Sequence, residues 1–443
     1  MSTHSNPKLI YMKATLLALS LLFSFTLSAQ NLYFPPAGDT WETLSPQELG
    51  WCQPQIDSLY QYLGDNQSKA FILLKDGKIV LEQYFNGHDA NSNWYWASAG
   101  KTLTAFLVGQ AQQEGFLNLS DTTSQYLGAG WTSCTPEQEA AITLWHQLTM
   151  TTGLDDAVAN DDCTLDSYLI YEADAGTRWA YHNAPYTLLD AALENATGQS
   201  LNSFTIEHVL QPIGMQGVWV SPDFNNVFYS RARSMARFGL LLLAKGVWNG
   251  NDLLQDSAYF YQMTHASQDI NQGYGYLTWL NNTENFMLPE YQFVYPGNFS
   301  PAAPQEMYAA MGRDGQYISV VPSQNLVWIR MGENPDQLNV PILMVDDIWE
   351  YINAMSCEPN KTDEFEAAEI SIYPNPTQDR WKIQGNISPI NWILFDAVGN
   401  EIKRCNQLLA NTTIDGSNLP AGIYFVEICT HAGTVKREKI LKQ

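Results

Sequence analysis

The sequence predicts an α+β domain whose antiparallel sheet is assembled from both ends of the domain around a helical middle, followed by a small all-β sandwich. Three observations carry this expectation. The Asp76-Gly77 pair joins two β-prone runs, Ala70 to Leu74 and Ile79 to Phe85, which is a strong hairpin signal. Strand-like stretches return only after a largely helical middle that runs to about Leu243, from Gly273 to Leu280 onward and most clearly at Tyr317 to Val321 and Leu326 to Met331. Beyond Cys357, short strands recur at regular spacing with turn residues between them. A chain of 443 residues with 45% apolar content is long enough for two or three domains and a large core. Its formal charge of −24 excludes nucleic acid and anionic membrane as expected partners, since both repel an acidic surface.

Taken in order, Met12-Lys13, the apolar run Ala14 to Leu27 and the small-residue exit Ser28-Ala29 read as a secretory signal over residues 1–29. The run is too short for a comfortable membrane span. Residues 30–357 form the first domain. It opens with a helical segment around Ser45 to Leu63 and the hairpin. Next comes a helix from Ser98 to Glu114, where Leu103, Phe106, Leu107 and Ala111 recur at helical spacing before Gly115. A largely helical middle runs to about Leu243. Strands are expected at Gly273 to Leu280, Gln292 to Tyr295, Tyr317 to Val321 and Leu326 to Met331, with a closing helix from Val340 to Met355. Residues 358–369 are polar, acidic and non-periodic, as a linker would be. Residues 370–443 form the sandwich, with strands at Trp381 to Gln384, Trp392 to Asp396 and Gly422 to Ile428.

Six cysteines in an exported chain favour disulfides, although spacing leaves the connectivity open. Pairing within each unit would give Cys52–Cys357, Cys134–Cys163 and Cys405–Cys429. None has the short paired spacing of a zinc site. The acidic run Asp155-Asp156 and Asp161-Asp162 lacks the ordered ligand spacing of a calcium loop and reads as a solvated loop. No metal or organic cofactor is expected.

Three stretches carry chemistry. Ser98-Ala99-Gly100-Lys101 places a hydroxyl and an amine on one face of a helix's first turn. A serine needs a base to become nucleophilic, and a lysine whose pKa is lowered by burial can be that base. Tyr181-His182-Asn183 puts a phenol and a carboxamide side by side, one to relay protons and one to hydrogen-bond a substrate; His182 between them reads as structural. Met311-Gly312-Arg313-Asp314-Gly315-Gln316-Tyr317 is a glycine-bordered entry into a strand, where the Gln316 backbone N–H would join that of Ser98 in an oxyanion hole.

In this order and with these flanks, the three stretches resemble the Ser-x-x-Lys, Tyr-x-Asn and Lys-Thr-Gly elements of the serine β-lactamase and penicillin-binding-protein family, nearer its esterase-like and peptidase-like members. The resemblance covers roughly Trp51 to Cys357. It implies a β-lactamase-like fold, Ser98 as acylated nucleophile, Lys101 as its base partner, Tyr181 as proton relay, and Asn183, Arg313, Gly315 and Gln316 as substrate contacts. The third element departs from the family, since Arg313 and Asp314 stand where Lys-Thr or His-Gly is expected. Arg313 keeps a positive charge for a substrate carboxylate; Asp314 beside it could neutralise that charge. The resemblance implies a secreted serine hydrolase of esters or amides on a small molecule or short peptide. A β-lactamase, a D-amino-acid peptidase and an inactive surface binding protein are the alternatives. The Tyr373-Pro374-Asn375-Pro376 run, the Phe395 to Gly399 turn, Gly422 to Val426 and the Lys-rich terminus resemble the sorting domain of the type IX secretion system. That resemblance implies the type IX machinery as partner, passage across both membranes, and a secreted or surface-attached product.

Overall fold

The computed structural model describes residues 32–281, 283–333, 341–357, 370–385, 391–397, 399–405, 411–430 and 433–443. The expected signal and linker lie outside the described residues. The first domain is built on a six-stranded antiparallel sheet in the spatial order Lys78–Tyr84, Ser68–Lys75, Leu326–Gly332, Gln316–Val321, Tyr308–Gly312, Trp279–Leu280. The N-terminal hairpin thus pairs with the last strand of the domain, Leu73 opposite Trp328 and Ile72 opposite Ile329. Both inner strands are buried along almost their whole length, as expected of strands covered on two faces. On one face lies the helix Ala232–Leu243, so close that a β-carbon on Gly239 would stand 2.6 Å from Val327 and 2.9 Å from Ile318. The other face carries Trp328, whose ring meets Trp349 of the closing helix Ile342–Asn353.

A disulfide joins Cys52 to Cys357 across 305 residues. It is flanked by backbone bonds from Cys52 N–H to the Met355 carbonyl and from Cys357 N–H to the Gly50 carbonyl, both 2.8 Å. Cys134 and Cys163 are not joined, contrary to expectation; both stand as thiols, with the Cys134 sulfur directed to the Leu169 carbonyl. The side chain of Cys429, and with it the third expected pair, lies outside the described residues.

The middle of the domain departs from a simple helical reading in three places. The Ser98 helix, Gly100–Gln113, is buried on every side from Gly100 to Ala111, so it is a central helix rather than an amphipathic surface one. Its buried polar side chains, Lys101, Thr102, Thr104 and Gln110, all find hydrogen bonds. A three-stranded sheet of Trp94–Tyr95, Val227–Ser230 and Gly217–Val220 interrupts the helices. The region Gly273 to Leu280 is extended only at Trp279–Leu280, because Leu277 takes a left-handed backbone with φ 47°.

The C-terminal region is a sandwich of two antiparallel sheets, one of Ile370–Tyr373, Arg380–Gly385 and Asn411–Asp415, the other of Glu401–Cys405, Asn391–Phe395, Gly422–Thr430 and Gly433–Lys442. Its core is separate from that of the first domain. Trp381, Ile383 and Ile414 of one sheet meet Trp392, Leu394, Val426 and Ile428 of the other.

Candidate active site

Ser98 is presented by a turn that departs from ordinary backbone geometry. Trp96 is anchored twice, its N–H to the Phe228 carbonyl at 2.8 Å and its indole N–H to the Ser230 hydroxyl at 2.8 Å. Ala97 then takes φ 45°, a left-handed conformation that costs a residue with a β-carbon about 1–2 kcal/mol. A single 3₁₀ turn, Ala97–Ala99, carries Ser98 into the helix. The strand Tyr308–Gly312 ends against this turn. A β-carbon on Gly312 would lie 2.9 Å from Ser98 N, 2.8 Å from Ala99 N and 2.6 Å from the Trp96 carbonyl, so the close approach requires glycine.

Lys101 lies one helical turn along and is only 4% exposed. Its ammonium nitrogen is 2.9 Å from Ser98 Oγ and 2.8 Å from Asn183 Oδ1. The rings of Tyr186 and Tyr181 flank it, their centroids 4.3 and 5.1 Å away. Burial pulls the Lys101 pKa down to about 7, against the carboxylates of Asp162, Asp161 and Asp190, which favour the ammonium; Arg313 adds to the depression.

Tyr181 is held in an aromatic nest, stacked on Trp279 at 5.8 Å and edge-on to Tyr274 at 6.2 Å. Burial raises its pKa above the ordinary phenol value, and the adjacent Ser98 hydroxyl opposes that shift. Its hydroxyl is buried and finds no partner of good hydrogen-bond geometry among the described residues. Asn183 opens the helix Asn183–Thr197 and donates from Nδ2 to Asp161 Oδ2 at 3.1 Å. His182 is buried beside it, held neutral by burial, which lowers its pKa to about 4.

The third stretch is a tight hairpin turn. Gly312 pairs with Gln316 across Arg313–Gly315, with Asp314 at φ 63° and Gly315 at φ 76°. The turn is moulded from behind by Arg330, fully buried, whose guanidinium donates to the carbonyls of Asp314 (2.8 Å), Gly315 (2.7 Å), Asn66 (2.6 Å) and Glu333 (3.2 Å) and to Ser68 Oγ (2.8 Å). The Gln316 side chain is buried and bridges to the next strand, exchanging hydrogen bonds with the Gly332 backbone at 2.6 and 3.0 Å. The Gly312 backbone stands against the Ser98 turn, and the Gln316 side chain ties the sheet together. Arg313 is exposed and forms no ion pair among the described residues. The Asp314 carboxylate accepts from the Tyr95 hydroxyl at 2.5 Å.

Ser98, Lys101, Tyr181 and Asn183 thus meet in one place, with Arg313 close enough to act on Lys101 and Tyr181. Sequence reasoning missed Asp161, Tyr186, Gly312 and Arg330. A signal existed for Asp161 in the acidic run. None existed for Arg330, whose partners Asn66 and Ser68 lie far away along the chain. Among the described residues no group of three or more His, Cys, Asp or Glu is placed to hold a metal ion.

The Beta-lactamase family profile matches residues 56–333, and the profile described as Secretion system C-terminal sorting domain matches residues 371–443. An uncharacterized protein of Alkalihalophilus pseudofirmus is 23% identical over 309 residues, 60% of this chain and 84% of that protein. A beta-lactamase of Escherichia coli K12 is 26% identical over 186 residues, 40% of this chain and 48% of its own length. A Bacillus anthracis structure named provisionally as a 6-aminohexanoate-dimer hydrolase superposes with a TM-score of 0.54 at 19% identity, covering 73% of this chain and 89% of that one.

Proposed function

This chain belongs to the beta-lactamase family and is a secreted or cell-surface, hydrolase-like protein carrying a type IX sorting domain, and from that premise we propose that it cleaves an ester or amide through an acyl-enzyme on Ser98. The observation that supports this best is the 2.9 Å hydrogen bond between Lys101 and Ser98, made by a lysine whose burial leaves a large neutral fraction near pH 7. Neutral Lys101 takes the Ser98 proton as Oγ attacks the substrate carbonyl. The Ser98 N–H, facing the Gly312 backbone, stabilises the developing oxyanion. Tyr181, protonated and adjacent to the Ser98 hydroxyl, passes a proton to the leaving group, and water then releases the acyl group by the reverse path. Asn183 holds Lys101 and offers its amide to the substrate.

Arg313 deepens the reading. An exposed guanidinium that acts on Lys101 and Tyr181 and forms no ion pair among the described residues suits a substrate with a carboxylate or another anionic group, and Asp314 bonds to Tyr95 rather than to it. A lactam or D-amino-acid amide is the second reading, supported by the similarity to the Escherichia coli beta-lactamase. The expected signal over residues 1–29 would begin the export that the sorting domain completes.

Intact-mass analysis after exposure to a serine-reactive phosphonate tests the proposal. The native protein is expected to gain one adduct and the Ser98→Ala variant none. An unlabelled native protein that is folded and turns over neither esters nor penicillin would favour a binding role instead.

A further inference from the structure

Asp161 belongs to the loop that sequence composition alone assigns to solvent. In the structure it is only partly exposed and makes two bonds to the start of the Tyr-x-Asn helix. Its backbone carbonyl accepts from Ala184 N–H at 2.8 Å, satisfying one of the helix's free N-terminal donors. Its side chain accepts from Asn183 Nδ2 at 3.1 Å. An amide can be placed either way round, and only one way leaves Oδ1 facing the Lys101 ammonium at 2.8 Å. Since Asp161 is acceptor-only when ionised, it permits that one.

Resting on the acyl-enzyme reading above, we infer that Asp161 is a positioning residue of the site: it fixes the orientation of the Asn183 amide and, through it, the place of the Lys101 nitrogen beside Ser98. Its charge acts in the same chain. Lys101 is faced by Asp161, Asp162 and Asp190, by Arg313, and by the rings of Tyr181 and Tyr186. Asp190 is already committed to Thr104 at 2.9 Å and Asn226 at 3.0 Å, and among the described residues Asp162 makes no hydrogen bond to Asn183; of the three carboxylates, Asp161 is the one that joins the hydrogen-bonded line to the lysine. A carboxylate there favours the ammonium form, so the site's base is held less depressed than burial alone would leave it.

The test is the rate of phosphonate labelling of Ser98 as a function of pH in the full chain, with thermal unfolding of each variant in parallel. Asp161→Asn keeps an acceptor for Asn183 and removes the charge. The rising limb of the profile should move about one unit to lower pH, with the plateau within a few-fold of the native one. Asp161→Ala removes both, so the plateau should also fall about 10- to 100-fold as the amide loses its orientation. Asp162→Asn should move the limb and spare the plateau. A purely structural role would lower the unfolding temperature and leave limb and plateau in place, and that result for Asp161→Asn and Asp161→Ala would overturn the inference. A native protein that is not labelled at any pH would remove the acyl-enzyme reading itself, a separate failure visible before any variant is compared.

Discussion

Of the cations that the first domain buries, Lys101 and Arg330 both lie at the candidate site, and the difference between their surroundings separates chemistry from architecture. Arg330 is at 0% exposure and Lys101 at 4%, so desolvation presses on both. Arg330 answers with five hydrogen bonds to four carbonyls and a hydroxyl, and although burial lowers its pKa to about 10 it remains a cation at any physiological pH. Lys101 has two hydrogen bonds, one of them to the hydroxyl it would activate, and two aromatic rings that cannot accept as a carbonyl does. Its pKa falls to about 7. A buried cation with its donors satisfied holds backbone in place. One left with few acceptors can give up its proton.

Replacing each cation should expose that division most strongly. Lys101→Met is expected to lower kcat/KM by about 10³-fold or more while the protein stays folded, whereas Arg330→Leu strands several buried acceptors and should cost about 3–5 kcal/mol of stability. Urea unfolding and turnover measured on both variants would show it. The opposite assignment, a stability loss at Lys101 and an intact fold with lost turnover at Arg330, would reverse the roles given to the two sites.

Lys101→Met also carries a pH signature. The folded-state pKa of Lys101 lies below its unfolded value of about 10.5, so between pH 7 and 10.5 the unfolded chain binds the extra proton and the native protein gains stability as pH rises. The variant lacks that gain. Its unfolding free energy relative to the native protein should therefore look most favourable near or below pH 7 and lose that advantage by pH 10, provided both are measured at equal ionic strength.

Gly312→Ala should have an intermediate effect. The added β-carbon meets the backbone at Trp96, Ser98 and Ala99, so the Ser98 turn must move, and a fall in labelling rate of about 100-fold is expected from misplacement of the nucleophile. Tyr181→Phe is the mildest. The lost hydroxyl has no good hydrogen-bond partner among the described residues, so the unfolding temperature should not fall, while turnover drops about 10- to 100-fold if the phenol relays a proton. Unchanged turnover would take Tyr181 out of the proton path.

Much of this was legible in the sequence because it is local. The Asp76-Gly77 hairpin, the Ser98-to-Lys101 spacing and the Tyr181-to-Asn183 triplet each depend on residues within a few positions of one another, and alternating strands mark the terminal sandwich. What escaped depends on distant partners. Tyr308–Gly312 is poor in β-branched residues, with Ala309, Ala310 and Gly312, and becomes a strand because a small-residue edge must pass close to Ser98. Arg330 reads as a polar interruption in an apolar strand until Asn66, Ser68 and the Asp314-Gly315 turn are brought around it. Gln316 fell at the expected motif position, but the hairpin register turns its side chain into the sheet.

The most direct test of the account is the titration of Lys101 itself, followed by the 13C shift of its Cε in selectively labelled protein and assigned by loss of the signal in Lys101→Met. A midpoint near pH 7, matching the rising limb of Ser98 labelling, is the predicted result. A midpoint near the ordinary lysine value of 10.5 would leave Lys101 a permanent cation at neutral pH and contradict its role as the base.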